Sequence, residues 1–197
     1  ELPARTHVLH TLEPRIQASG GPHVSADRSV DAPDPGALVR DTDFQLALLD
    51  LLAMADAGRI EVPAKVSKRR ALKKSVRREL EKLRTGALSA GRNFLDLKEE
   101  DQHRVRKRLK RLRYLTEMVA PVFGKSKAAA YVQKLKPAQE TLGTYNDGLI
   151  ALAAYRDLAP ETPDALFGLG WLSARKETDA IACAKALRKL GKAKPYW

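Results

Sequence analysis

Between Asp101 and Glu117 the chain reads DQHRVRKRLKRLRYLTE. At 100° per residue an α-helix sorts this stretch into two faces. Val105, Leu109, Leu112, Thr116 and Val119 form an apolar stripe. His103, Arg106, Lys110, Arg113, Tyr114 and Glu117 fall together on the other side. Such a face suits a polyanion, because aligned cations release its counterions and offer donor forks to phosphate oxygens. A solvated helix face is the common alternative reading of a charge run. Solvated helices, however, mix Glu and Lys four residues apart. Here seven Lys and Arg lie between Arg104 and Arg113 with no acid among them, so they repel one another until an anion neutralises them.

The residues that would support catalysis are not gathered in any recognisable pattern. No H-E-x-x-H, G-x-x-x-x-G-K-[ST] or C-x-x-C occurs. His103 and Glu117 share a helix face but stand about 21 Å apart along it, too far to hold one small ligand alone. His103 has no His, Asp or Cys within one turn on its face, which argues against a metal ligand and for a hydrogen bond to phosphate or a charge acquired beside one. His10 and His23 have no metal-ligand partners at sensible spacing and read as ordinary polar residues. The expectation is a non-catalytic protein with no metal and no cofactor.

Charge is concentrated in one stretch. The 197 residues carry a net charge of +12. From Lys65 to Arg113 there are 19 Lys and Arg against 6 Asp and Glu, whereas the rest of the chain holds 17 against 18. All the excess charge thus belongs to one segment, as a binding surface would require. The lone Cys183, in IACAKAL, reads as a small core residue and fits a reducing compartment. No apolar run is long enough to span a bilayer, and no signal peptide is read at the start, which is Glu1.

The string His103, Arg106, Lys110, Arg111, Arg113, Tyr114, Glu117 has the form H-x-x-R-x-x-x-K-R-x-R-Y-x-x-E. It resembles the signature helix of the conserved-histidine α-helical domain (CHAD) family. Lys136 to Asp147, KPAQETLGTYND, resembles the second half of that signature. The resemblance extends well over residues 42–158 and more loosely over the flanks. Near the start, Arg5 and Val8 faintly resemble a G-x-x-R-D-x-D-V stretch of the family. What the resemblance implies is an all-α fold of two pseudo-symmetric helical bundles whose basic residues line a groove or pore for inorganic polyphosphate. A first-half copy of the signature helix is not found, so an incomplete N-terminal bundle is expected. Cytoplasmic location and association with polyphosphate or storage granules belong to the same expectation.

The elements that must position these residues are all helices, since no segment alternates with a strand's two-residue period. A first helix is expected over about residues 6–18, with Leu9, Leu12 and Ile16 inward, stopped by Gly20-Gly21-Pro22. Residues 20–40 read as a mobile loop. Asp41-Thr42-Asp43 should cap a helix ending near Ala57, whose LALLDLLAM run predicts burial. A long helix then runs from Pro63 to about Ala90, apolar at Val66, Leu72, Val76, Leu80 and Leu83, with Gly91 as its stop. Asp96 and Glu99 suggest a capping pair for the signature helix, and Pro121 and Gly124 its end. The helix of the second motif starts near Lys125 and should kink at Pro137. Thr162-Pro163-Asp164 starts the last helix and Gly191 ends it. Together these form one domain of long antiparallel helices.

Two functions compete. The first is polyphosphate binding, which the resemblance implies. The second is binding of a nucleic-acid backbone. Readers of single strands interleave aromatics with their basic residues to stack bases. From Lys65 to Arg113 the only aromatic is Phe94, with Tyr114 following, which favours polyphosphate. The expected site is His103, Arg106, Lys110, Arg111, Arg113 and Tyr114, with Lys73 and Arg77 from the preceding helix. Lys134, Lys136 and Gln139 from the second motif extend it. Gln139 and Asn146 are expected either to orient basic side chains or to reach phosphate, and Asp147 to partner an arginine. Tyr114 reads either as a core residue whose hydroxyl emerges at the groove or as a direct contact.

Overall fold

The computed structural model describes residues 2–24, 35–56 and 69–197. Within them the regular structure is helical alone: α1 (Leu2–Ala18), α2 (Pro35–Arg40), α3 (Thr42–Asp56), α4 (Arg69–Arg92), a 3-10 turn (Phe94–Asp96), α5 (Glu99–Met118), α6 (Ala120–Phe123), α7 (Lys125–Leu158) and α8 (Ala165–Gly191). The all-α expectation therefore holds, and α5 and α7 carry the two motifs.

Four helices close a ring. α4 packs on α5, α5 on α7, α7 on α8, and α8 returns to α4. Each contributes one apolar stripe to a common core: Leu80 and Ala87 from α4; Val105, Leu109 and Leu112 from α5; Tyr131, Leu135, Ala138 and Leu142 from α7; Cys183, Leu187 and Leu190 from α8. Full burial of each aliphatic side chain is worth roughly 1.5–3 kcal/mol, so this core holds the signature helix in place. A second core forms where α1 lies on the far half of α7 and on α8, with Val8, Leu9, Leu12 and Ile16 against Ala151, Leu152, Tyr155 and Leu172. Gly168 permits the close approach of α8 to α7 here, because a Cβ there would run into the Tyr155 ring.

The buried Gln102 amide near the site is bonded at both ends. Gln102 Nε2 donates to the Phe94 carbonyl at 2.9 Å, and Gln102 Oε1 accepts from the Tyr145 hydroxyl at 2.8 Å. Burial, reinforced by Glu99 and Cys183, raises the Tyr145 hydroxyl's pKa against the opposing Gln102 bond, which keeps it a donor. This chain of bonds locks the 3-10 turn, the first turn of α5 and the middle of α7 together.

Several local expectations are corrected. The apolar run in α3 is exposed at every position whose burial is described. Phe44, Leu46, Leu48, Leu49 and Leu52 are all exposed, Leu49 at 59%. The helix itself forms as expected, with Asp41 Oδ1 accepting from the Phe44 amide at 3.0 Å. Among the described residues α2 is the only helix with substantial packing on α3. Gly91 does not stop α4, which continues to Arg92. Gly91 is instead a packing position, where a Cβ would come within 3.0 Å of the Leu187 side chain. Leu72, expected inward, is exposed. The Asp96–Glu99 capping pair is not made: Lys98 occupies the N-cap of α5 without a side-chain cap bond, and Glu99, Glu100 and Asp101 favour that end through the helix dipole. α1 begins earlier than expected and runs through Pro14. α7 is one helix through Pro137. The stretch read as a loop over residues 20–40 ends in α2, and its residues 25–34 lie outside the described residues, as do Pro63, Val66 and Lys68.

Candidate functional site

α5 presents two flanks on either side of its buried stripe. One meets α7 and the other meets α4. On the α4 side, Arg108 Nη1 donates to the Gly86 carbonyl at 3.0 Å, and Arg104 pairs with Asp101 of its own helix at 3.0 Å. On the α7 side lie His103, Arg106, Lys110 and Arg113, as the helical spacing predicts.

α7 runs antiparallel to α5 along that flank, and two side-chain clasps set the register. His103 Nδ1 is 2.7 Å from Asn146 Oδ1. An amide oxygen only accepts, so the imidazole donates through Nδ1. Some two turns along, Gln139 Nε2 donates to the Leu109 carbonyl at 3.3 Å, and its Oε1 accepts a long bond of 3.5 Å from Arg113 Nη1. Asn146 and Gln139 are seven residues apart and so fall on one face of α7. Asn146 thus holds the His103 ring.

Between these clasps the helices leave an open groove. A hollow of about 210 Å³ is lined by Arg106, Lys110, Arg113 and Tyr114 from α5 and by Gln139, Glu140 and Leu142 from α7. A smaller recess beside it is lined by His103, Arg106, Tyr145 and Asn146, among others. Arg106 borders both. Arg113 is held at its rim by Glu117, Nε to Oε1 3.0 Å. Among the described residues Arg106 and Lys110 enter no ion pair. Tyr114 is 51% exposed, which removes the core alternative. The Lys110 ammonium and the Arg113 guanidinium lie 5.8 and 5.6 Å from its ring centroid, so its face supports cations.

Not every expected site residue joins this groove. Arg111 is exposed and turned away from it by the helical wheel. Lys73 and Arg77 belong to α4, across α5 from the groove; Lys73 sits over the Phe123 ring at 5.9 Å, and Arg77 lines a separate surface with Lys74, Arg78 and Lys82. Lys136 pairs with Glu140 at 3.7 Å, at the groove's edge. Lys134 falls on the opposite flank of α7 from Gln139. Asp147 makes no ion pair among the described residues. Residues that sequence reasoning passed over are Leu142 and Glu140, which close the hollow, and the Gln102–Tyr145 pair beneath it. The apolar period of α7 marks Leu142 as inward but not as a groove wall.

Comparison with known proteins agrees with the two motifs. Residues 32–156 match the family profile described as CHAD domain. The chain belongs to the CHAD family. The match takes in α3, α4, α5 and all but the end of α7, and so includes both walls of the groove. No curated protein and no solved structure matches this CHAD chain.

Proposed function

We propose that the α5–α7 groove of this CHAD domain binds inorganic polyphosphate without turning it over, and that this serves a cytoplasmic, granule-associated role. The observation that carries the reading is the row formed by Arg106, Lys110 and Arg113 along one groove wall. Arg106 and Arg113 are seven residues apart, roughly 10 Å along the axis, so an extended phosphate chain can touch all three cations at once. Two of the three enter no ion pair among the described residues, and they repel one another until an anion arrives. Family membership points the same way.

Tyr114 is the one aromatic lining the main hollow, and Lys110 and Arg113 lie against its ring; Tyr145, in the smaller recess, is buried. This disfavours single-stranded nucleic acid, which gains much of its affinity from stacked bases. The test is calorimetric titration of the full chain with polyphosphate and with single-stranded and duplex DNA of equal charge, at several salt concentrations. Polyphosphate is expected to bind much more tightly than either DNA. It should also raise the melting temperature, less so in high salt. Equal affinity for DNA replaces this reading with backbone binding of nucleic acid. Phosphate release with Mg²⁺ above a no-protein control, lost in His103→Ala, overturns the non-catalytic assignment.

A further inference from the structure

Gly143 lies in the middle of α7, four residues after Gln139 and three before Asn146. It therefore shares their face of α7. With Asn146 opposite His103 and Gln139 opposite Leu109, the antiparallel register sets Gly143 beside Arg106. A helix interior is an unfavourable place for glycine, which loses more backbone freedom there than alanine does. Something must favour it.

Packing explains Gly168 and Gly91 but not Gly143, nor Gly148 and Gly170, whose Cβ positions are also open. A Cβ at Gly168 would strike the Tyr155 ring, and one at Gly91 would press on Leu187. At Gly143 a Cβ would meet no neighbouring atom within 4 Å beyond its own turn of helix. The bundle has no need of bare backbone at this point. The bare stretch is open and lies on the groove side of α7 by helical position, next in sequence to Leu142, which lines both hollows with Arg106, a cation that enters no ion pair among the described residues.

We propose that Gly143 is a specificity-determining residue of the groove: it leaves the α7 wall bare so that a phosphate chain lies deep between the helices as it passes Arg106. The inference rests on the polyphosphate reading above. Its physical basis is distance. Coulomb attraction falls as charges separate, and a side chain at this point would lift the chain away from Arg106. It would also interrupt the track between the His103–Asn146 and Arg113–Gln139 clasps. A chain of phosphoanhydrides has no side groups and fits a narrow track. A nucleic-acid backbone carries a sugar and base on every phosphate and does not. Bare backbone thus selects for a thin polyanion where charge alone would not.

Gly148 provides the control. It is on the same helix, also has open space at its Cβ position, and points 140° round the axis from Gly143. The experiment compares Gly143→Ala, Gly143→Leu and Gly148→Ala in the full chain. The readouts are calorimetric titration with polyphosphate of defined length and thermal melting without ligand. Both alanine variants should melt at or above the wild-type temperature. Gly143→Ala should lower affinity at least threefold, Gly143→Leu further, and Gly148→Ala not at all. Wild-type affinity in Gly143→Ala sinks this inference while leaving the polyphosphate reading intact. Equal losses in Gly143→Ala and Gly148→Ala also sink it, since the effect would then belong to the helix and not to the groove. Wild-type protein that does not bind polyphosphate removes both.

Discussion

His103 Nδ1 lies 2.7 Å from Asn146 Oδ1, so the histidine of the signature helix is oriented by the helix beside it and not by its own. The amide oxygen holds the proton on Nδ1 and leaves Nε2 as the ring's remaining polar atom. Neutral His103 is therefore expected in the Nδ1–H tautomer, readable from ring ¹⁵N shifts. Asn146→Leu should release the ring, shift the tautomer towards Nε2–H and weaken polyphosphate binding several-fold. A wild-type ring found mainly as the Nε2–H tautomer would show that the clasp does not form in solution.

The cations divide by flank. Arg106→Ala and Lys110→Ala each remove an unpaired groove charge and should cost roughly 1–3 kcal/mol of binding, the scale of a lost charge-assisted hydrogen bond. Arg104→Ala and Arg111→Ala remove the same formal charge from outside the groove and should cost less. Isothermal calorimetry at one salt concentration decides. Equal losses in the two sets would mean diffuse electrostatics, with no defined groove.

Glu117 restrains Arg113 through an exposed i,i+4 pair. Such pairs contribute only about 0.3–0.5 kcal/mol to stability. Glu117→Gln removes a negative charge from the rim and frees the guanidinium. Polyphosphate should bind it more tightly than wild type, by a few-fold, with little change in melting temperature. Weaker binding would show that Glu117 positions Arg113 productively and does not compete for it.

Cys183 is fully buried, and burial foremost, with Asp179 adding, pushes its thiol up to about 12. Below pH 9 the thiol is protonated in both folded and unfolded chains. Between about 9 and about 12 only the unfolded chain ionises, so stability falls as pH rises through that window. Cys183→Ala should flatten this alkaline loss while lowering stability near neutrality through the cavity it leaves. Native protein at pH 8 should resist thiol alkylation and react fully once unfolded. Rapid labelling of the native state would place the thiol outside the core.

Much of the molecule can be read from local pattern. The two faces of α5 follow from residue spacing alone, because a 3.6-residue turn leaves no choice about which side chains align. Val105, Leu109 and Leu112 are buried, and Arg106, Lys110 and Arg113 line the groove, as the wheel requires. Tertiary packing decided what the wheel cannot express. α5 has two flanks and gives one to α4 and one to α7, which separates Lys73 and Arg77 from the groove although all lie in one basic segment. Asn146 meets His103 across 43 residues of chain, a pairing that only the antiparallel register of α5 and α7 creates. The exposed leucines of α3 make the same point in reverse. An apolar sequence states a preference for burial, but burial needs a second surface, and that surface is supplied by the fold and not by the helix.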